Sequence, residues 1–124
     1  MNPPRVRSLV PMAHVAEIGA SIAFYEKLGF AMIGSFTPPG EDAPSWVSLS
    51  SDGAELMLTR ADEPVVAEQQ AVLFYLYCED VAGMHALLSE AGVRAGPITK
   101  PFYNPQGEFR LVDPDGYLVI VTHL

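Results

Sequence analysis

The side chains in this 124-residue chain that could do chemistry are few and scattered. His14, His85 and His123 stand far apart, and Cys78 is the single cysteine. Tyr77 and Glu79 beside it do nothing to stabilise a thiolate, so Cys78 reads as a small buried hydrophobe. No Ser-His-Asp order, cysteine–histidine pair or glycine-rich phosphate loop is recognisable, and Gly34, Gly40, Gly83 and Gly96 are isolated. Glu108 and Arg110 could serve as a base and an anion anchor. Better represented are groups that bind by contact: Trp46, Tyr75, Tyr77, Phe102 and Tyr103, with Glu55 and Glu108 able to pair with a cation.

Strands must position these groups, and period-two alternation assigns their faces. In "SWVSLSSDGAELMLT", Val47, Leu49, Leu56 and Leu58 form an apolar side that packs on a helix. Trp46, Ser48, Glu55, Met57 and Thr59 then look inward. In "AVLFYLYC", Leu73, Tyr75 and Tyr77 share the inner face. In "GEFRLV", Phe109 and Leu111 suit the helix side and leave Glu108 and Arg110 inward. The closing strand "YLVIV" carries no charge, so both its faces must be covered. Val119 and Val121 pack on a helix, and Leu118 and Ile120 look inward. The loop "PFYNPQG" offers Phe102 and Tyr103 as lid residues.

Two stretches have helical periodicity. In "EIGASIAFYEKLGF", Ile18, Ile22, Tyr25 and Leu28 form a stripe that stops at Gly29. In "EDVAGMHALLSEAGV", Val81, Met84, Leu87, Leu88 and Ala91 do the same, with Asp80 as N-cap and Gly92 as stop. Strand-like runs precede and follow each helix, the shortest of them near Ile98. Gly29 and Gly92 differ by 63 positions, as do Glu17 and Asp80, Ile18 and Val81, and the turns Asp52-Gly53 and Asp115-Gly116. This constant offset gives two βαβββ modules, residues 5–60 and 71–123, joined by a polar linker at 61–70 within one domain spanning 1–124. The fold class expected is α+β: a curved, incomplete-barrel sheet around a cavity, with the helices outside.

Composition narrows the partners. Apolar residues make up 49% and charged residues 18%, as in a globular domain with a substantial core. The net charge of −8, with seven Lys and Arg spread thinly, cannot supply the basic footprint that nucleic acid requires. No apolar run approaches the roughly 20 residues of a membrane span. The N-terminal "MNPPRVRSLV" lacks the apolar core of a signal peptide, and a lone cysteine fits a reducing compartment, so the expected location is the cytoplasm.

The run Ser21-Ile22-Ala23-Phe24-Tyr25-Glu26-Lys27-Leu28-Gly29-Phe30, the later Asp113-Pro114-Asp115-Gly116 and the paired modules resemble the vicinal oxygen chelate superfamily, over nearly the whole chain. That group includes glyoxalase I, extradiol dioxygenases and bleomycin-resistance proteins, so one scaffold hosts several functions. In its metal-dependent members, side chains from four strands hold a divalent ion. The resemblance carries those four positions onto Val10, Met57, Leu73 and Ile120. Three hydrocarbons and a thioether cannot ligate a hard or borderline divalent ion, so no metal and no other cofactor is expected. His14 lies about 13 Å along the strand from Val10, Glu55 has the right parity but the wrong depth, His123 points away from Ile120, and His85 faces solvent on its helix.

The resemblance is nearest in character to the metal-free bleomycin-resistance branch. It implies a metal-independent protein that binds a small organic molecule, cationic or aromatic, as in antibiotic or toxin sequestration. An eight-stranded open sheet leaves edges and apolar surface to cover, so a homodimer is expected. Expected ligand-binding residues are Trp46, Ser48, Glu55, Met57, Leu73, Tyr75, Tyr77, Tyr103, Glu108, Arg110 and Ile120. Two alternatives stay open. One is a lyase, isomerase or dioxygenase of the same superfamily, with displaced ligands or with Glu108 as a metal-free base. The other is a dimerisation module whose hollow is filled by its own side chains. Whether the cavity closes within one chain or across a swapped dimer is also open at this stage.

Overall fold

A computed structural model describes residues 3–124, so Met1 and Asn2 of the expected domain lie outside the described residues. The first module runs β1 (Met12–Val15), α1 (Ile18–Lys27), β2 (Ala31–Phe36), β3 (Trp46–Ser51) and β4 (Ala54–Arg60). The second runs β5 (Leu73–Cys78), α2 (Val81–Glu90), β6 (Glu108–Val112) and β7 (Leu118–His123). The alternating stretch around Asp52-Gly53 folds into the β3–β4 hairpin, with Trp46 opposite Thr59 and Leu49 opposite Leu56. Asp52 takes a positive φ of 52°, as a tight Asp-Gly hairpin turn requires. β1 lies parallel beside β4 and β5 parallel beside β7, giving two sheets of order β1-β4-β3-β2 and β5-β7-β6.

Two expected strands are shorter than their sequence pattern. The run near Ile98 contributes only a bridge between Thr99 and Glu108. Pro97 and Pro101 flank it and have no N–H to give a ladder. The first strand begins at Met12, although the strand-like run before the first helix, "RSLVPMAHV", starts at Arg7. Pro11 cannot donate, although its carbonyl still accepts from the Met57 N–H at 2.9 Å. Residues 3–11 carry no secondary structure, and Val6 and Leu9 are exposed.

The two sequence stretches that carry the resemblance meet in space. The N-terminal end of α1 has no side-chain cap of its own. Asp115 of the other module fills that role, accepting from the Ala16 N–H at 2.7 Å and from the Ser21 hydroxyl at 3.3 Å. Asp113 accepts from the Tyr25 hydroxyl at 2.7 Å and from the N–H groups of Asp115 and Tyr117, each at 2.9 Å. Ser21, Tyr25, Asp113 and Asp115 are all buried, so these bonds run in a low-dielectric setting. Gly116 completes the turn at φ 89°, and a Cβ there would sit 2.6 Å from Ala67 Cα, so glycine is required twice over.

The clasp holds one continuous core. Val47, Leu49, Leu56 and Leu58 from the first sheet join Phe109, Leu111, Val119 and Val121 from the second in a single buried cluster with Tyr25, Leu28, Val81 and Leu88 of the helices. The expected helix-facing side of each strand is therefore the core side. Burial, reinforced by the charge and hydrogen bond of Asp113, pushes the Tyr25 phenol well above its ordinary value, so it stays a donor. Burial also raises the Asp113 carboxyl, against hydrogen bonds from Tyr25 and the backbone that favour its ionised form.

Candidate functional site

Turning every second side chain into the core leaves the other set on the opposite face. Register lays this face out as a grid. On the first sheet one row reads Met12, Met57, Ser48, Gly34, and the next reads His14, Thr59, Trp46, Phe36. A Cβ on Gly34 would lie 3.7 Å from the Trp46 ring, in ordinary contact, so the indole lies over β2 at this position. On the second sheet the rows read Val112, Leu118, Leu73; then Arg110, Ile120, Tyr75; then Glu108, Thr122, Tyr77.

All eleven expected ligand-binding residues except Tyr103 belong to this open face by register and parity. Ten of them do not come together in one place, because they are divided between two sheets. Trp46, Ser48 and Met57 are half-buried and Glu55 is exposed on the first; Leu73, Tyr75, Tyr77 and Arg110 are exposed on the second. Tyr75 and Tyr77 stack at 6.5 Å between ring centroids. Ile120 is fully buried yet stands outside the core cluster, flanked on the open side by Arg110 and Tyr75.

The sheets do not enclose a shared hollow through these residues. Between the modules a cleft of about 480 Å³ runs past Leu28, Phe30, Tyr75, Tyr77, Cys78 and Met84. A second, of about 380 Å³, reaches Leu9, Glu55, Leu73 and Tyr75. Neither touches Trp46, Ser48 or Met57. A third cleft of about 600 Å³ lies where the 61–70 linker crosses the ends of β1 and β4, between His14, Thr59, Asp62, Glu63, Gln70 and Tyr117. Period-two reasoning did not reach these linker residues, which lie outside any strand. Burial raises the Tyr117 phenol there, and its hydroxyl donates to the His14 carbonyl at 3.3 Å.

Glu108 has the expected parity but a different environment. Its side chain is 2% exposed, with one oxygen accepting from the Thr122 hydroxyl at 3.2 Å and the other from the Tyr103 hydroxyl at 3.0 Å. It does not neutralise Arg110: the one ion pair among the described residues joins Arg60 to Glu41 at 2.9 Å. The hydrogen bond to Glu108 raises the Tyr103 phenol. Asn104 pins the same loop by donating to the Thr122 hydroxyl at 2.7 Å and the His123 carbonyl at 3.0 Å. Phe102, beside Tyr103, projects into solvent.

His85 does not face solvent as expected. Its Nε2 lies 2.9 Å from the Gly96 carbonyl and its ring stands edge-on to Phe109 at 4.9 Å. Val10, Met57, Leu73 and Ile120, the positions that the resemblance implied for a metal, carry hydrocarbon or thioether side chains and do not fit a hard or borderline divalent ion. Register sets Met12, not Val10, beside Met57, and Tyr75, not Leu73, beside Ile120, so shifting by two adds no donor to either pair beyond a phenol. Among the described residues no three His, Cys, Asp or Glu side chains converge.

Residues 10–121 match the model of the Glyoxalase/Bleomycin resistance protein/Dioxygenase superfamily. The chain belongs to that superfamily. Solved structures with the same fold include a bleomycin-binding protein complexed with bleomycin, at 20% identity and TM-score 0.75, covering 96% of this chain and 99% of that one. A bleomycin resistance determinant encoded on the transposon Tn5 aligns at 19% identity and TM-score 0.76, over 95% and 98% of the two chains. An antibiotic-binding protein from Streptomyces sp. CB03234 aligns at 21% identity and TM-score 0.73, over 98% of each. No curated protein matches the chain. At these identities the superfamily members share its fold, and their ligands remain their own. Among the described residues no helix is long and apolar enough to cross a membrane.

Proposed function

We propose that this superfamily member binds and sequesters a small organic molecule, cationic or aromatic, without a metal and without turnover, in a crevice that two copies build together. One observation carries the reading. Each sheet keeps a face of aromatic, thioether and hydroxyl groups outside the core cluster, and side chains such as Met12, Phe36, Leu73, Tyr75 and Tyr77 on those faces stay exposed within the chain. Such surfaces bind by area and shape.

Juxtaposing the open face of the first sheet in one copy with that of the second sheet in the other would bring Trp46 and Met57 opposite Tyr75 and Ile120. This would also cover the exposed apolar groups Met12, Phe36, Leu73 and Tyr75. The bleomycin-bound and antibiotic-binding relatives support the ligand class, and the lone Cys78 supports a cytoplasmic setting.

Calorimetric titration with cationic glycopeptides and aromatic amines tests the reading, alongside elemental analysis of protein purified without chelator. Saturable binding at one ligand per crevice with no stoichiometric metal is expected. Silence across the panel, or one equivalent of nickel, zinc, iron or manganese per chain, would overturn it.

A further inference from the structure

We infer that Glu108 is a covered receptor for a primary ammonium group, with Tyr103 as its displaceable cover; this rests on the small-molecule reading above and names what one end of the ligand carries. A carboxylate removed from water needs strong donors, and a charged partner supplies them better than a neutral one. Glu108 is 2% exposed, yet its partners are two neutral hydroxyls, from Thr122 and Tyr103. With about four lone-pair sites on an ionised carboxylate, two stay free for a further donor.

The two covers differ in how firmly they are held. Thr122 sits within β7, is buried, and also accepts from Asn104 at 2.7 Å. Tyr103 belongs to the loop between Pro101 and Gly107, is largely exposed, and meets Phe102 edge-on at 5.4 Å. Phe102 is itself 97% exposed. Asn104 anchors the loop through its own bonds, so Tyr103 can swing away without releasing it. What replaces a phenol oxygen against a residue 2% exposed must be compact. A primary ammonium on a slender alkyl arm meets that demand, whereas a guanidinium is a broad planar fork. Arg110 points from the same strand and face about 7 Å away and is unpaired with Glu108, so the ligand beyond its ammonium carries no second cation there.

The test uses dansylcadaverine, whose five-carbon arm ends in a primary ammonium, and its N-acetylated neutral twin, titrated into the full chain with dansyl fluorescence as readout. The wild type should prefer the amine by at least about tenfold. Glu108→Gln should bring that ratio close to one by weakening the amine at least about tenfold. Tyr103→Phe, which keeps the ring and removes the competing hydroxyl, should raise amine affinity a few-fold. Equal binding of both probes to the wild type, a comparison that needs no variant, would overturn the inference. So would a ratio preserved in Glu108→Gln. If neither dansyl probe binds but a cationic glycopeptide does, the inference falls and the sequestration reading stands. If nothing binds, both fall.

Discussion

The two faces of each sheet were made by the same alternation and have opposite fates. On one side Val47, Leu49, Leu58, Phe109, Val119 and Val121 are fully enclosed and linked through the helices. On the other, Met12, Phe36, Tyr75 and Tyr77 stay largely in water. Both sides carry large apolar groups, so hydrophobicity alone does not explain the difference. The helices and the Asp113–Asp115 clasp occupy one side, whereas on the other the 101–107 loop lies over Glu108 and leaves Met12, Phe36, Tyr75 and Tyr77 exposed. Stability should therefore reside on the core side and recognition on the open side, and substitutions can be used to pull the two apart.

The largest separation should come from Leu58→Ala. Deleting this enclosed side chain should cost about 2–5 kcal/mol of stability in denaturant unfolding, while folded protein keeps its ligand affinity. Next is the clasp. Tyr25→Phe leaves the buried Asp113 carboxyl without its 2.7 Å donor and should cost about 1–3 kcal/mol, again with affinity retained. On the open face the pattern should invert. Tyr75→Ala should change stability by no more than about 0.5 kcal/mol, yet weaken ligand binding by roughly tenfold. A large stability loss there would erase the distinction between the faces.

The smallest effect is a pH dependence. The Asp113 carboxyl is raised in the folded chain, so its contribution to stability is fully present below the ordinary carboxylate range and is lost as pH rises through its raised value. Asp113→Asn removes that titration. Melting temperatures of variant and wild type, followed from pH 4 to pH 8, should shift in favour of the variant as pH increases. A constant difference across the range would mean that burial does not govern this group.

Much of this architecture was readable along the chain. Helical stripes ending at Gly29 and Gly92, the hairpin at Asp52-Gly53 and the core side of β3, β4, β6 and β7 follow from local periodicity, which burial on one side enforces. The superfamily also followed from the two motifs, although the reason they travel together did not. Ser21 meets Asp115 and Tyr25 meets Asp113 across 94 and 88 positions, and no local pattern encodes such a contact. Pro11, Pro97 and Pro101 shortened two strands that alternation alone extends. Parity placed Glu108 on the correct face but could not show the 101–107 loop lying over it. His85 was misplaced because the Gly96 carbonyl that holds it comes from a loop beyond the helix.

Trp46 is the only tryptophan and stands between Thr59 and Phe36 on the first sheet's open face, which makes its emission a direct report on that surface. Titrating the full chain with bleomycin, as a bulky cationic glycopeptide, should shift or quench that emission along a saturating curve, and Tyr75→Ala should move the midpoint to higher concentration. Calorimetric binding with tryptophan emission unchanged throughout would place the ligand elsewhere and contradict recognition by the open faces.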